Sequence, residues 1–143
     1  MKLPAKIEYA CKAIMELALH YHEGSSMQLK EIAKAQGIPK QFLVQLMIRM
    51  KNAGLVDSKR GVVGGYFLTK PPAHLSLADI FRAVDDSILN SNEKTKLIKA
   101  SDVTKIISFI WEGINKDIAT RLESTSLDWL ASQINKEQLI YHI

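Results

Sequence analysis

Cysteine is nearly absent from this chain of 143 residues, which has a single one at Cys11. An intrachain disulfide is therefore impossible. Long apolar runs are absent too: the longest stretch without a charged residue is nine residues long, whereas a membrane-spanning helix needs about 20 apolar residues. The N-terminal stretch is interrupted by Glu8 and Lys12 and has no signal-peptide apolar core. These absences predict a cytoplasmic protein that makes no contact with a membrane.

Charge is unevenly distributed along the chain. Apolar residues make up 47% and charged residues 24%, which is typical of a soluble globular protein. The net charge of +4 divides into +6 over residues 1–75 and −2 over residues 76–143. A basic first half joined to a mildly acidic second half indicates that the first half binds a polyanion, and nucleic acid is the expected one.

Two short helices joined by a tight turn are predicted in the basic half. Apolar residues recur at helical spacing over 28–36 and 40–53, and Gly37-Ile38-Pro39 separates the two stretches. This arrangement predicts a helix-turn-helix, whose second helix enters the DNA major groove. The expected buried stripe of that helix is Phe42, Leu43, Leu46, Met47, Met50 and Ala53.

A change to strand patterning follows at 55–58 and 65–69, with a glycine-rich connection between the two runs. A hairpin directly after a helix-turn-helix predicts a winged helix-turn-helix. Lys59 and Arg60 stand at the wing, and an arginine there can reach a narrow, electronegative minor groove.

The polar face of the second helix supplies the candidate base contacts. Its candidates are Lys40, Gln41, Val44, Gln45 and Arg49. Glutamine can bind adenine through two hydrogen bonds, and Val44 can meet a thymine methyl group. The alternative left open by this pattern is a three-helix bundle with a polar outer face that binds no nucleic acid.

The second half of the chain is predicted to be helical. A helix begins after Ser76 and runs to about Val84. Residues 85–101 are predicted to form a loop, with or without one turn of helix, and Asp102 to cap a long helix to about Leu122. A short helix over 126–133 and a tail follow. The apolar positions of the long helix are too many for one small domain to cover, so they predict a homodimer; they include Val103, Ile106, Ile107, Ile110, Trp111, Ile114 and Ile118.

No arrangement of catalytic residues and no spacing of metal ligands is recognisable, so an enzyme and a bound metal are not expected. Apolar residues at helical spacing from Ile7 to Tyr21 predict a first helix, and Cys11 on its apolar face is predicted to be a buried structural thiol. The fold predicted from these elements is mainly α with a small β-hairpin wing, followed by a long C-terminal dimerisation helix. Its parts are a DNA-binding domain (1–84), a loop (85–101) and a dimerisation helix with a tail (102–143).

Four stretches of the first 88 residues carry recognisable motifs: MKLPAKIEYACKAIMELAL, EIAKAQGIPKQFLVQLM, MKNAGLVDSKRGVVGGYFLTK and LSLADIFRAVDDSI. In these stretches the chain resembles the family of bacterial regulators that includes IscR, NsrR and CymR, the Rrf-two type. The resemblance implies a homodimeric transcription factor bound to a palindromic operator, with the wing arginine in the minor groove. The DNA contacts that it implies are Lys6, Tyr9, Lys40, Gln41, Gln45 and Arg60.

Two departures separate this chain from the IscR type. IscR-like members hold an iron–sulfur cluster on three cysteines in the loop that corresponds to 85–101, and this chain has none there. We therefore expect no cofactor and a resemblance closer to members such as CymR, controlled by a partner protein or a small effector. Val44 stands where the IscR type has a carboxylate, which argues against the same operator. The function predicted is a transcriptional repressor; the alternative is an adaptor whose winged domain binds another protein.

Overall fold

The computed structural model describes residues 2–89 and 99–141. Within these ranges the chain is mostly helical, with one antiparallel hairpin, as the sequence predicts. Single turns of 3-10 helix occur at Pro72–His74 and Asp86–Ile88. In chain order the elements are α1 (Ala5–Leu19), α2 (Leu29–Gln36), α3 (Lys40–Asn52), β1 (Val56–Lys59), β2 (Gly65–Leu68), α4 (Leu77–Val84), α5 (Asp102–Glu123) and α6 (Leu127–Tyr141).

The first helix lies at the centre of the core. Its apolar stripe packs against α2, α3, α4 and α6, and Ile7, Ala10, Ala13 and Ile14 have no exposed surface. Glu16 is buried on the same helix, and its carboxylate accepts a hydrogen bond from the side-chain amide of Gln36 at the end of α2. This contact satisfies the buried carboxylate and fixes α2 against α1.

The predicted helix-turn-helix and wing are confirmed. Helices α2 and α3 are joined by a three-residue turn, and the backbone N–H of Ile38 in that turn donates to the carbonyl of Ala33 at 3.0 Å. Strands β1 and β2 pair from Val56 with Leu68 to Lys59 with Gly65. The hairpin is therefore closed at the end that is farther from the core.

Helix α4 begins as the sequence predicts. The hydroxyl of Ser76 accepts from the backbone of Asp79, and the Asp79 carboxylate accepts from the backbone of Ser76, which forms a capping box. The prediction for α5 is wrong by one residue, because Ser101 and not Asp102 is its cap: the Ser101 hydroxyl accepts from the backbone N–H of Thr104 at 3.3 Å.

Helix α5 packs beside α4, and α6 packs against α1 and the 3-10 turn at Pro72–His74. Leu127 is fully buried and anchors the start of α6, and the side chain of Arg82 on α4 pairs with Glu123 at the end of α5. The tail predicted after residue 133 is wrong, since α6 continues to Tyr141. Of the loop predicted over 85–101, only 85–89 and 99–101 lie in the described residues. None of the described helices is long and apolar enough to cross a membrane.

Candidate nucleic-acid interface

Helix α3 buries one face and exposes another. Leu43, Leu46, Met47 and Met50 are buried. The structure places three of the predicted contact residues, Lys40, Gln41 and Gln45, in solvent on the opposite side, and it leaves Val44 half-buried. A helix with this division has the burial pattern of a recognition helix, since its apolar face joins the core and its polar face is available to a groove.

The predicted apolar stripe of α3 is wrong at its two edges, because Phe42 and Ala53 are exposed. Phe42 is 55% exposed, and its ring centroid lies 6.5 Å from that of Tyr9 on α1. The two rings border an open cavity of about 630 Å³ between the start of α1 and α3. The structure therefore brings Tyr9, which only the family resemblance implicated, into contact with the recognition helix.

Two of the predicted DNA contacts hold the end of α4. Arg49 Nη1 donates to the backbone carbonyl of Val84 at 2.9 Å, and Lys6 Nζ pairs with the Asp85 carboxylate at 3.0 Å. Hydrogen bonds from Ser87 and then from Lys6 lower the pKa of Asp85 to about 2. These contacts give Lys6 and Arg49 structural partners that the sequence does not reveal, and they fix α1 and α3 relative to α4.

The wing carries one anchored and one unpaired cation. Lys59 Nζ donates to the carbonyl of Gly24 at 2.9 Å and lies 5.4 Å from the ring centroid of Phe67, which holds the wing against the loop after α1. Arg60 is exposed and has no hydrogen-bond or ion-pair partner among residues 2–89 and 99–141. The Arg60 side chain can therefore turn toward a ligand without breaking a hydrogen bond or an ion pair within the described part of the chain.

The two adjacent glycines of the wing are required by close backbone approaches. A Cβ at Gly64 would overlap the carbonyl oxygen of Lys59 across the turn. A Cβ at Gly65, whose φ is +142°, would overlap the carbonyl oxygen of Met27, which pairs with Tyr66 in an isolated bridge. Gly64 therefore lets the turn of the wing close on itself, and Gly65 lets the wing pack onto the segment before α2.

Helix α5 has no buried residue along its length. Six of the seven positions predicted for dimerisation are exposed, from 41% for Ile114 to 67% for Val103, and Ile118 is half-buried. Sequence patterning missed Phe109, which is 76% exposed and lies off the apolar stripe. Trp129 of α6 is 54% exposed. An apolar helix face of this extent calls for a covering surface.

The donor set for a metal cluster is not assembled in the described part of the chain. No group of three or more His, Cys, Asp or Glu side chains there could hold a metal ion. Cys11, the one cysteine of the sequence, is half-buried on α1, and burial raises the pKa of its thiol to about 11. An iron–sulfur cluster needs several thiolate ligands, so the residues present do not fit one.

A two-helix unit with a tight turn, an exposed polar face on its second helix and a following basic hairpin define a winged helix-turn-helix protein. The model of the Rrf2 family, described as iron-dependent transcriptional regulators, matches residues 3–133. The chain belongs to this family, which confirms the resemblance read from the motifs. It is a DNA-binding transcriptional regulator, and not an enzyme.

Individual relatives cover nearly the whole chain. The HTH-type transcriptional regulator IscR of Xenorhabdus nematophila is 33% identical over 139 residues, which are 97% of this chain and 83% of that protein. The structure of CymR, the global cysteine regulator of B. subtilis, is similar with a TM-score of 0.77 at 31% identity, covering 93% of this chain and 98% of CymR. The structure of T. potens IscR is similar with a TM-score of 0.78 at 33% identity, covering 96% and 91% of the two chains.

Proposed function

We propose that this protein is a cytoplasmic, homodimeric repressor that binds a palindromic operator through α3 and the wing. The observation that carries the proposal is the exposed polar face of α3. Lys40, Gln41 and Gln45 lie there with no hydrogen-bond or ion-pair partner in the described part of the chain, although the opposite face of the same helix is fully buried. Polar side chains held on a rigid helix and left unpaired are suited to base edges and phosphates.

The side chains divide into those that read bases and those that position the protein. Gln41 and Gln45 lie one helical turn apart and read adenines in the major groove, and the half-buried Val44 contacts a thymine methyl group. Lys40 binds phosphate at the first turn of α3. Arg60 enters the minor groove beside the wing.

The remaining candidates act at the edge of this surface. Tyr9 packs on Phe42 and meets the sugar–phosphate backbone from the start of α1. Lys6, Arg49 and Lys59 hold the protein framework and add positive charge near the DNA.

The partner that covers the apolar face of α5 is a second copy of the chain. A helix that exposes Ile106, Ile110 and Ile114 on one side can pair with itself across a two-fold axis, which is the commonest symmetry of oligomers. A two-fold dimer presents two α3 helices to two half-sites, so the operator is expected to be palindromic. In this arrangement residues 1–84 bind DNA, 85–101 connect the two parts and 102–143 provide the dimer contact.

Repression requires no functional surface beyond the one that binds the operator. Occupancy of an operator is enough to exclude RNA polymerase, whereas activation needs a further contact surface. The single half-buried cysteine supports regulation without an iron–sulfur cluster, by a partner protein or a small effector.

Selection of bound duplexes from a random-sequence pool tests the proposal. On the best duplex, Gln41→Ala and Gln45→Ala should each cost about 1–3 kcal/mol and relax the preference at particular base pairs. Lys40→Ala should weaken all sequences alike and lower the salt slope by about 1. Lys116→Ala, on the exposed surface of α5, is the matched control and should change neither quantity. If the α3 variants bind like the wild type, α3 is not the surface that reads the duplex; if the wild type selects no duplex, the winged domain is better described as a protein-binding adaptor.

A further inference from the structure

The tip of the wing exposes two large apolar side chains. Val62 is 95% and Val63 86% exposed, which makes them the most exposed large hydrophobic residues in the described part of the chain. They are the central residues of a turn in which the backbone N–H of Gly64 donates to the carbonyl of Gly61 at 3.0 Å. In the sequence the two valines follow Gly61, which follows Arg60, the cation without a partner in the described part of the chain.

The surrounding contacts hold these valines outward. The hydroxyl of Ser26 donates to the carbonyl of Val63 at 2.9 Å. Below the tip, Met27 and Tyr66 exchange two backbone hydrogen bonds of 2.9 and 2.7 Å. The buried Gly64 lets the turn close where any side chain would meet backbone. The apolar tip is therefore a fixed feature of the hairpin.

The size and charge of the tip indicate what it contacts. A stable protein–protein interface buries roughly 800 Å² on each partner, far more than two valines at the end of a narrow hairpin can offer. The minor groove of DNA is about 6 Å wide and admits such a tip. Lys59 and Arg60 precede the valines in the hairpin and give the wing positive charge, which complements the phosphates that line that groove.

On the basis of the proposed function, we propose that Val62 and Val63 insert into the minor groove beside Arg60 and make the wing selective for A·T over G·C pairs. The edges of deoxyribose and of an A·T pair present no hydrogen-bond donor there. A G·C pair adds the 2-amino group of guanine, which would be stripped of water against the two valines and left without an acceptor. Apolar side chains that enter the minor groove occur in other DNA-binding proteins.

Inosine separates this readout from every major-groove contact. An I·C pair keeps the major-groove edge of G·C but lacks the 2-amino group. The probe is the highest-affinity duplex that the wild-type protein recovers from a random-sequence pool, with the position under the wing located by hydroxyl-radical footprinting. Three versions carry A·T, I·C or G·C at that position. We expect the wild type to bind the G·C version about tenfold more weakly than the other two.

The double variant Val62→Thr, Val63→Thr keeps the shape of the tip and supplies hydroxyl acceptors. It should reduce the G·C penalty to within about twofold and leave the salt slope unchanged, because no charge is altered. The matched variant Arg60→Ala should weaken binding to all three duplexes, lower the salt slope by about 1 and keep the G·C penalty. Equal thermal unfolding of wild type and double variant checks that the exposed substitutions leave the fold intact.

Three results would overturn the proposal. In the first, the G·C penalty persists in the threonine variant. In the second, the Arg60→Ala variant loses the G·C penalty, which assigns the selectivity to the arginine. In the third, the threonine variant changes sedimentation but not DNA binding, which assigns the valines to a protein contact. In each case Gln41→Ala still lowers affinity for the selected duplex, so the proposed function stands; a wild type that selects no duplex refutes the proposed function itself.

Discussion

Replacement of Ile110 by glutamate tests whether α5 pairs with a second copy. Ile110 lies in the middle of the apolar face and is 56% exposed. Full burial of an isoleucine is worth about 1.5–3 kcal/mol, so covering this remaining half contributes about 1–1.5 kcal/mol. Each two-fold dimer contains two copies of Ile110, so replacing both removes about 2–3 kcal/mol of the free energy of dimerisation.

Glutamate adds a desolvation cost to that loss. Two carboxylates would be brought into one apolar interface without cationic partners, and leaving a charge unpaired in such a place costs several kcal/mol. We therefore expect the dimer dissociation constant to rise by roughly a thousandfold or more. Affinity for a palindromic duplex should fall with it, because a monomer engages one half-site at a time.

The assay is sedimentation velocity over a range of protein concentrations, followed by gel shift. Lys105→Glu is the matched control, because it also places a glutamate at an exposed position of α5 but on a helix surface about 140° away from Ile110. It should leave the dimer intact. The reasoning is refuted if the wild type is a monomer at micromolar concentration, or if both variants sediment as the wild type does.

Other features of the structure predict further measurable outcomes. Ser87 and Lys6 lower the pKa of Asp85 from 3.8 to about 2. The stability that the Asp85 carboxylate contributes is therefore fully present above pH 3.8 and is lost as the pH falls through about 2. When unfolding is measured over this pH range, Asp85→Asn should lose less stability than the wild type does. Gly64→Ala forces a side chain against backbone and should destabilise the fold by about 1–3 kcal/mol, measured by denaturant unfolding. Because the pKa of Cys11 is about 11, its alkylation at pH 8 should be slow in the native protein and fast in denaturant.

The elements that could be predicted from sequence are those with local signals. Gly37 and Pro39 mark the turn between α2 and α3. Ser76 and Asp79 mark the start of α4, and the spacing of apolar residues in α5 marks the length of that helix. Each signal acts within a few residues of the feature that it specifies. The helix-turn-helix, the wing and the long helix are therefore confirmed close to their predicted bounds.

The failures concern features that depend on distant residues. Phe42 fits the apolar stripe of α3 as well as its neighbours do, and only the position of α1 decides that the stripe ends at Leu43 and that Phe42 meets Tyr9 instead. The contacts of Arg49 with Val84 and of Lys59 with the loop after α1 each join residues 35 positions apart. Helical periodicity carries no information about such pairs, so their side chains appear in the sequence only as cations near a candidate surface.

These partners decide how much each basic side chain can add to DNA binding. Lys6 already holds Asp85 at 3.0 Å, so a phosphate contact exchanges one charge pair for another and yields only the difference between them. Lys40 and Arg60 have no ion-pair partner in the described part of the chain, so a phosphate contact by either would be gained without giving up an ion pair within the protein. Arg49 is intermediate, since one donor binds a backbone carbonyl and its other N–H groups stay available. The salt dependence of binding should therefore arise chiefly from the first turn of α3 and the tip of the wing, while Lys6 and Arg49 keep α1 and α3 in register with α4.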